Sequence, residues 1–156
     1  MKDIKSVFRN LQGMLKDMAW FDDDWEIYNR GVYMQLYKSN WYNSAQGGIH
    51  FETFIEDAQC RMKTFPICFH AEDDCPFRQR FMDELIKSEG QRIQGWRGYR
   101  LVRKGYTICE RMLTLNFKGL EERLLQDFNQ LRQLQDAIDR TLIQLEGELR
   151  TRGRLA

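Results

Sequence analysis

Ile49-His50-Phe51-Glu52-Thr53-Phe54-Ile55 and Thr64-Phe65-Pro66-Ile67-Cys68-Phe69-His70-Ala71 are two runs in which apolar residues recur at every second position. Successive side chains of a β-strand point to opposite faces, so a period of two describes a half-buried strand. Ile49, Phe51, Thr53 and Ile55 fall on one side of the first run, with His50, Glu52 and Phe54 on the other. In the second, Phe65, Ile67 and Phe69 oppose Cys68 and His70. Both strands carry the pattern His-x-Glu, as His50-x-Glu52 and His70-x-Glu72, and the chain has 2 histidines in all. If the two strands are neighbours in suitable register, two imidazoles and two carboxylates share one sheet face, where Tyr33, Gln35 and Tyr37 can join them. That is the donor set of a divalent-metal site or of a general acid–base pair.

The reading extends outward from these strands. Val32-Tyr33-Met34-Gln35-Leu36-Tyr37 alternates in the same way, and Asn29-Arg30-Gly31 marks a turn after a strand at residues 25–28. Ile4, Val7, Phe8, Leu11, Met14, Leu15 and Met18 stand at the i, i+3, i+4, i+7 spacing of an amphipathic helix that stops near Trp20. Residues 39–48 read as a polar loop carrying Trp41 and Tyr42 and closing on Gly47-Gly48. A second helix starts near Pro76, buries Phe77, Phe81, Leu85 and Ile86, and ends at Gly90. Residues 92–108 read as a strand or hairpin, and residues 112–117 as a short last strand.

From Phe117 onward the apolar residues recur by sevens, at Phe117, Leu124, Leu131, Ile138 and Leu145. Glu121, Phe128, Gln135, Leu142 and Leu149 interleave with them. These are the d and a positions of a coiled-coil-like helix. Such a helix packs either along its own domain or against a second copy. The dimer is the expectation here, through Leu124, Phe128, Leu131, Ile138, Leu142 and Leu145. The fold class is therefore α+β: an N-terminal helix, a mainly antiparallel sheet of about 4–6 strands, a central helix and a long C-terminal helix with heptads. Residues 1–112 form the α+β domain, 113–150 the packing or dimerisation helix and 151–156 a fraying tail.

With 24 basic against 23 acidic residues the net charge is +1, which excludes a polycation or an acidic nucleic-acid mimic as a description of the whole chain. At 42% hydrophobic the chain can build a core. No charge-free stretch is apolar and long enough to span a bilayer, and the start MKDIKSVFRNLQ has no signal-peptide core. A soluble, cytoplasmic protein with no membrane association is expected. Cys60, Cys68, Cys75 and Cys109 contain no Cys-x-x-Cys pair, so they read as reduced, mostly buried thiols rather than as zinc ligands.

Two further surfaces attract notice. Arg92, Arg97, Arg100, Arg103 and Lys104 are interleaved with Trp96 and Tyr99, a combination that attracts phosphates and offers stacking to bases. Trp41 and Tyr42, on a loop, suggest a protein contact. The sequence has no P-loop, GxGxxG, GxSxG or HExxH motif, so no cofactor is expected. In element order alone, helix, three strands, helix and strand over residues 2–108 resemble the core of the PD-(D/E)XK nucleases. Those enzymes hold Mg²⁺ with an acid and a D/E-x-K pair. Here only Asp3-Ile4-Lys5 has that spacing, in the first helix, and the strand expected to carry it reads Phe69-His70-Ala71-Glu72, so the resemblance implies a catalytically silent relative. The function expected is a small non-enzymatic interaction protein that dimerises through its last helix and binds a macromolecule, a protein sooner than a nucleic acid. The alternatives are nucleic-acid binding through the basic hairpin and a metal-dependent enzyme using the paired His-x-Glu strands.

Overall fold

The computed structural model describes residues 3–155. It runs α1 (Ile4–Lys16), β1 (Trp25–Asn29), β2 (Tyr33–Lys38), β3 (Ile49–Phe54), α2 (Asp57–Met62), β4 (Thr64–Ala71), α3 (Arg78–Gln94), β5 (Tyr99–Lys104), β6 (Thr107–Thr114), α4 (Leu120–Arg132) and α5 (Gln135–Leu155). The six strands form one sheet in the order β1-β2-β3-β4-β6-β5, every pair antiparallel. The α+β reading holds, with an N-terminal helix, an antiparallel sheet, a central helix and a long, interrupted C-terminal helix.

Local chemistry explains the element ends. Asp3 caps α1, its carboxylate accepting from the Ser6 N–H at 2.8 Å. The β1–β2 turn sits where Asn29-Arg30-Gly31 places it: Asn29 Oδ1 accepts from the Gly31 N–H, and Gly31 has φ +87°. Gly90 was expected to end the central helix, but α3 runs on to Gln94. Gly90 is buried within the helix, and a Cβ there would meet the Ile86 and Leu101 side chains at 3.4 Å, an ordinary contact, so this glycine marks no helix end. The break between α4 and α5 falls at Gln133-Leu134. The tail expected to fray from Thr151 is helical through Leu155, and Ala156 lies outside the described residues.

One face of the sheet is apolar. Leu36, Phe51, Phe69 and Cys109 form a cross-strand row on it, beside the row of Met34, Thr53 and Ile67. The helices cover this face in one continuous core, with Phe8, Leu11 and Leu15 from α1, Phe81 and Leu85 from α3, Leu124, Phe128 and Leu131 from α4, and Ile138, Leu142 and Leu145 from α5. None of these side chains is more than 2% exposed. The heptad stripe from Leu124 to Leu145 therefore packs within its own chain, while Leu149 stays exposed. Dimerisation through Leu124, Phe128, Leu131, Ile138, Leu142 and Leu145 is corrected accordingly, because the surface it requires is already consumed by the core.

Candidate metal centre

The polar face of the sheet carries the alternate residues. Gln35, Glu52, Cys68, Glu110 and Arg100 lie in one row across β2, β3, β4, β6 and β5. The next row pairs His50 with His70. Directly opposed residues of an antiparallel pair share a face. The two strands run in opposite senses, so Glu52 lies beyond the histidine pair on one side and Glu72 beyond it on the other. The register that the sequence left open is thus the one that gathers both His-x-Glu motifs.

Each carboxylate reaches both imidazoles. Glu52 Oε1 lies 2.7 Å from His50 Nε2 and 3.1 Å from His70 Nδ1. Glu72 Oε2 lies 3.1 Å from His50 Nε2 and 3.6 Å from His70 Nδ1. One donor atom from each of the four residues falls within 4.8 Å of all the others. Zinc takes imidazole nitrogen and carboxylate oxygen at about 2.0–2.2 Å, which puts neighbouring ligand atoms about 3 Å apart. The four carboxylate–imidazole separations, 2.7–3.6 Å, bracket that size, and the widest pair of ligand atoms lies within 4.8 Å.

The electrostatics are those of a tightly packed ionic cluster. His50 is fully buried, and the side chains of Glu52, His70 and Glu72 are 5%, 17% and 24% exposed. Burial opposes ionisation of the two glutamates, yet the His50 and His70 imidazoles hold both carboxyls down to about 2. Burial likewise works against a charged His70, but Cys68, Glu52 and Glu72 push its imidazolium up to about 12. His70 Nδ1 is nevertheless a buried nitrogen with no hydrogen-bond partner, although Glu52 Oε1 stands 3.1 Å away. The oxygen is near but poorly aligned. A cation seated between the four ligands would take the Nδ1 lone pair only by displacing the ring's proton, so metal binding here is coupled to proton release.

A surrounding layer orients the ligands. The Tyr33 hydroxyl donates to Glu52 Oε1 at 2.9 Å and accepts from Gln35 Nε2 at 2.5 Å. Burial and the nearby Glu52 charge raise the Tyr33 hydroxyl well above its ordinary value, so it stays a donor. His50 Nδ1 meets Asn43 Oδ1 at 2.8 Å. Hydrogen bonds of this kind fix the ring and raise ligand basicity in metal sites. Tyr33 and Gln35 were legible in the strand alternation. Asn43 was not: it sits in a loop read only as polar, and its single signal was its place just before Gly47-Gly48, where the backbone turns in towards the sheet.

The other anticipated surfaces are placed differently. Trp41 is fully buried, packed edge-on to Trp25 at 5.3 Å and Phe51 at 5.4 Å, and its Nε1–H donates to Asp139 Oδ1. Tyr42 lies edge-on to Phe77, and its hydroxyl donates to Glu146 Oε1 at 2.9 Å. Both rings anchor the loop to the chain's own core, which corrects the protein-contact reading of that loop. Tyr99 is buried with its hydroxyl on Asp127. Trp96 packs on Tyr99 and under Arg92, which also contacts Glu89. Arg100 is paired with Glu110. Arg97, Arg103 and Lys104 remain exposed and make no ion pair among the described residues. The cysteines are free, Cys60 exposed and Cys68, Cys75 and Cys109 buried. No helix among the described residues is long and apolar enough to cross a membrane. Comparison of the chain with protein-family models, with curated proteins and with solved structures finds no match in any of the three.

Proposed function

We propose that this chain binds one divalent transition-metal ion through His50 Nε2, His70 Nδ1, Glu52 and Glu72, and acts as a metal-dependent enzyme. The observation that carries the reading is the convergence of those four donor atoms within 4.8 Å around a buried, unpartnered His70 Nδ1. Two imidazoles with two carboxylates suit zinc, manganese or ferrous iron better than calcium or magnesium, which take oxygen ligands. The two negative charges offset the dication, so the filled centre is neutral in a largely buried setting. The enzymatic half of the reading rests on exposure. Four protein ligands fill a tetrahedral zinc, so a water position here requires a metal of higher coordination number, as ferrous iron and manganese take, and His70 and Glu72 give this cluster a side open to solvent. A metal held by His50, His70, Glu52 and Glu72 would supply Lewis-acid chemistry at that open side.

The test is metal uptake by purified chain, stripped with chelator and titrated separately with Zn²⁺, Mn²⁺, Fe²⁺ and Mg²⁺ by calorimetry and elemental analysis. One equivalent of transition metal in the wild type, lost in His50→Ala and His70→Ala with circular dichroism unchanged, is the expected result. Absence of binding by the wild type, or equal uptake by both variants, overturns the proposal.

A further inference from the structure

We infer that Asn43 is a positioning residue: with Gln35 it forms an amide relay, pinned at both ends to the backbone, that keeps the His50 proton on Nδ1 and leaves Nε2 facing Glu52, His70 and Glu72. The role of Nε2 rests on the metal reading above, whereas the relay itself is a property of the chain with or without metal.

The polarity of the relay follows from groups that have no choice of role. The Gly48 N–H can only donate, and it meets Asn43 Oδ1 at 2.8 Å. The Gln46 carbonyl can only accept, and Gln35 Nε2 meets it at 3.1 Å. Between these fixed ends Asn43 Nδ2 donates to Gln35 Oε1 at 2.8 Å. Turning over either amide would set donor against donor or acceptor against acceptor. Gln35 is 0%, Asn43 1% and His50 0% exposed, so water does not stand in for a lost partner. His50 Nδ1 therefore faces an acceptor at 2.8 Å and must carry hydrogen. His50 Nε2 stands 2.7 Å from Glu52 Oε1, so in the metal-free chain it carries a hydrogen as well, and that is the proton a metal would displace while Nδ1 keeps its own.

The relay explains why the loop holds two large aromatic rings. Trp41 and Tyr42 tie it to Asp139 and Glu146 on α5. Asn43 follows at once and delivers its side chain to the other face of the sheet. Gly48 completes the turn, since a Cβ there would lie 1.9 Å from the Tyr42 carbonyl oxygen. The loop spends its aromatic residues on setting the angle of one imidazole.

The experiment uses full-length chain labelled with ¹⁵N-histidine, metal-free and zinc-loaded, together with Asn43→Leu and Asn43→Asp. A protonated His50 Nδ1 in the wild-type spectra is expected. Asn43→Leu should weaken Zn²⁺ binding by about 10–100-fold, the range for losing such an orienting partner. Asn43→Asp keeps an acceptor opposite Nδ1 but sets a carboxylate oxygen against Gln35 Oε1, so it should recover part of that loss, which a merely structural role would not produce. An unprotonated Nδ1 in the wild type, zinc binding by Asn43→Leu as tight as wild type, or Asn43→Asp as weak as Asn43→Leu, overturns the inference. If the wild type takes up none of Zn²⁺, Mn²⁺ and Fe²⁺, the metal reading falls, and the Nδ1 spectrum alone upholds or overturns the relay. If Asn43→Leu does not fold, Asn43→Asp and the wild-type spectra decide.

Discussion

Replacing Leu131 by alanine separates a helix stripe packed within the chain from one packed between chains. Leu131 is fully buried in the core that joins α1, α4 and the sheet. The substitution removes about three carbon groups, worth about 0.8 kcal/mol each in transfer from water. The cavity left behind adds to that, so Leu→Ala changes in packed cores cost about 2.7–5.0 kcal/mol. A loss of about 3 kcal/mol is expected. At about 2.1 cal/mol/K per residue, the unfolding entropy of 156 residues is about 0.33 kcal/mol/K, which converts that loss into a fall in Tm of about 9 °C. The assay is thermal and urea unfolding of wild type and Leu131→Ala at two widely separated protein concentrations. Packing within the chain predicts that both midpoints ignore concentration. A loss below about 1 kcal/mol, or a midpoint that climbs with concentration, would refute the reasoning, because the stripe would then be stabilised by association.

The remaining expectations concern the loop and the ionic cluster. Trp41→Phe keeps a ring against Trp25 and Phe51 but deletes the Nε1–H bond to the Asp139 carboxylate, and should cost about 2 kcal/mol in urea denaturation; a cost under about 0.5 kcal/mol would return Trp41 to the surface. In the metal-free chain Glu52 and Glu72 titrate near 2 folded against 4.5 unfolded, so their stabilisation is complete above pH 4.5 and disappears as the pH falls towards 2. His70 has the opposite sign: raised to about 12 from 6.5, it stabilises fully below pH 6.5 and loses its effect as the pH climbs towards 12. The urea midpoint should therefore fall in acid, and Glu72→Gln should flatten that fall; an acid limb identical in the variant contradicts the assignment.

The parts of this fold that were legible in the sequence are those that follow from local periodicity. Alternation in residues 49–55 and 64–71 put His50 with Glu52 on one side of the first strand and His70 with Cys68 on one side of the second, and a period of two leaves no other arrangement within each strand. What alternation does not contain is register, which depends here on the short α2 and its turn at Lys63, left-handed at φ +58°. The heptads of the last helix were legible as a stripe but not as to partner. Leu124, Phe128 and Leu131 look the same whether α1 or a second copy lies opposite, and no glycine or proline announces the interruption at Gln133-Leu134. Gly90 lost its expected meaning because a glycine that ends a helix and one buried inside a continuing helix are the same residue in sequence. Asn43 was out of reach for a related reason: its importance lies in Gly48, Gln35 and His50, which surround it only once the sheet is built.

The outermost position of β5 also recasts the basic hairpin. An edge strand leaves a row of unpaired backbone N–H and C=O groups, a template on which another chain can add a strand. On β5 that row runs alongside Arg100, Arg103 and Lys104, all exposed at the strand's surface. Two such edges brought together would set like charges against each other along their length. Arg103 and Lys104, exposed and unpaired among the described residues, thus oppose edge-to-edge pairing of this strand whether or not any ligand is present.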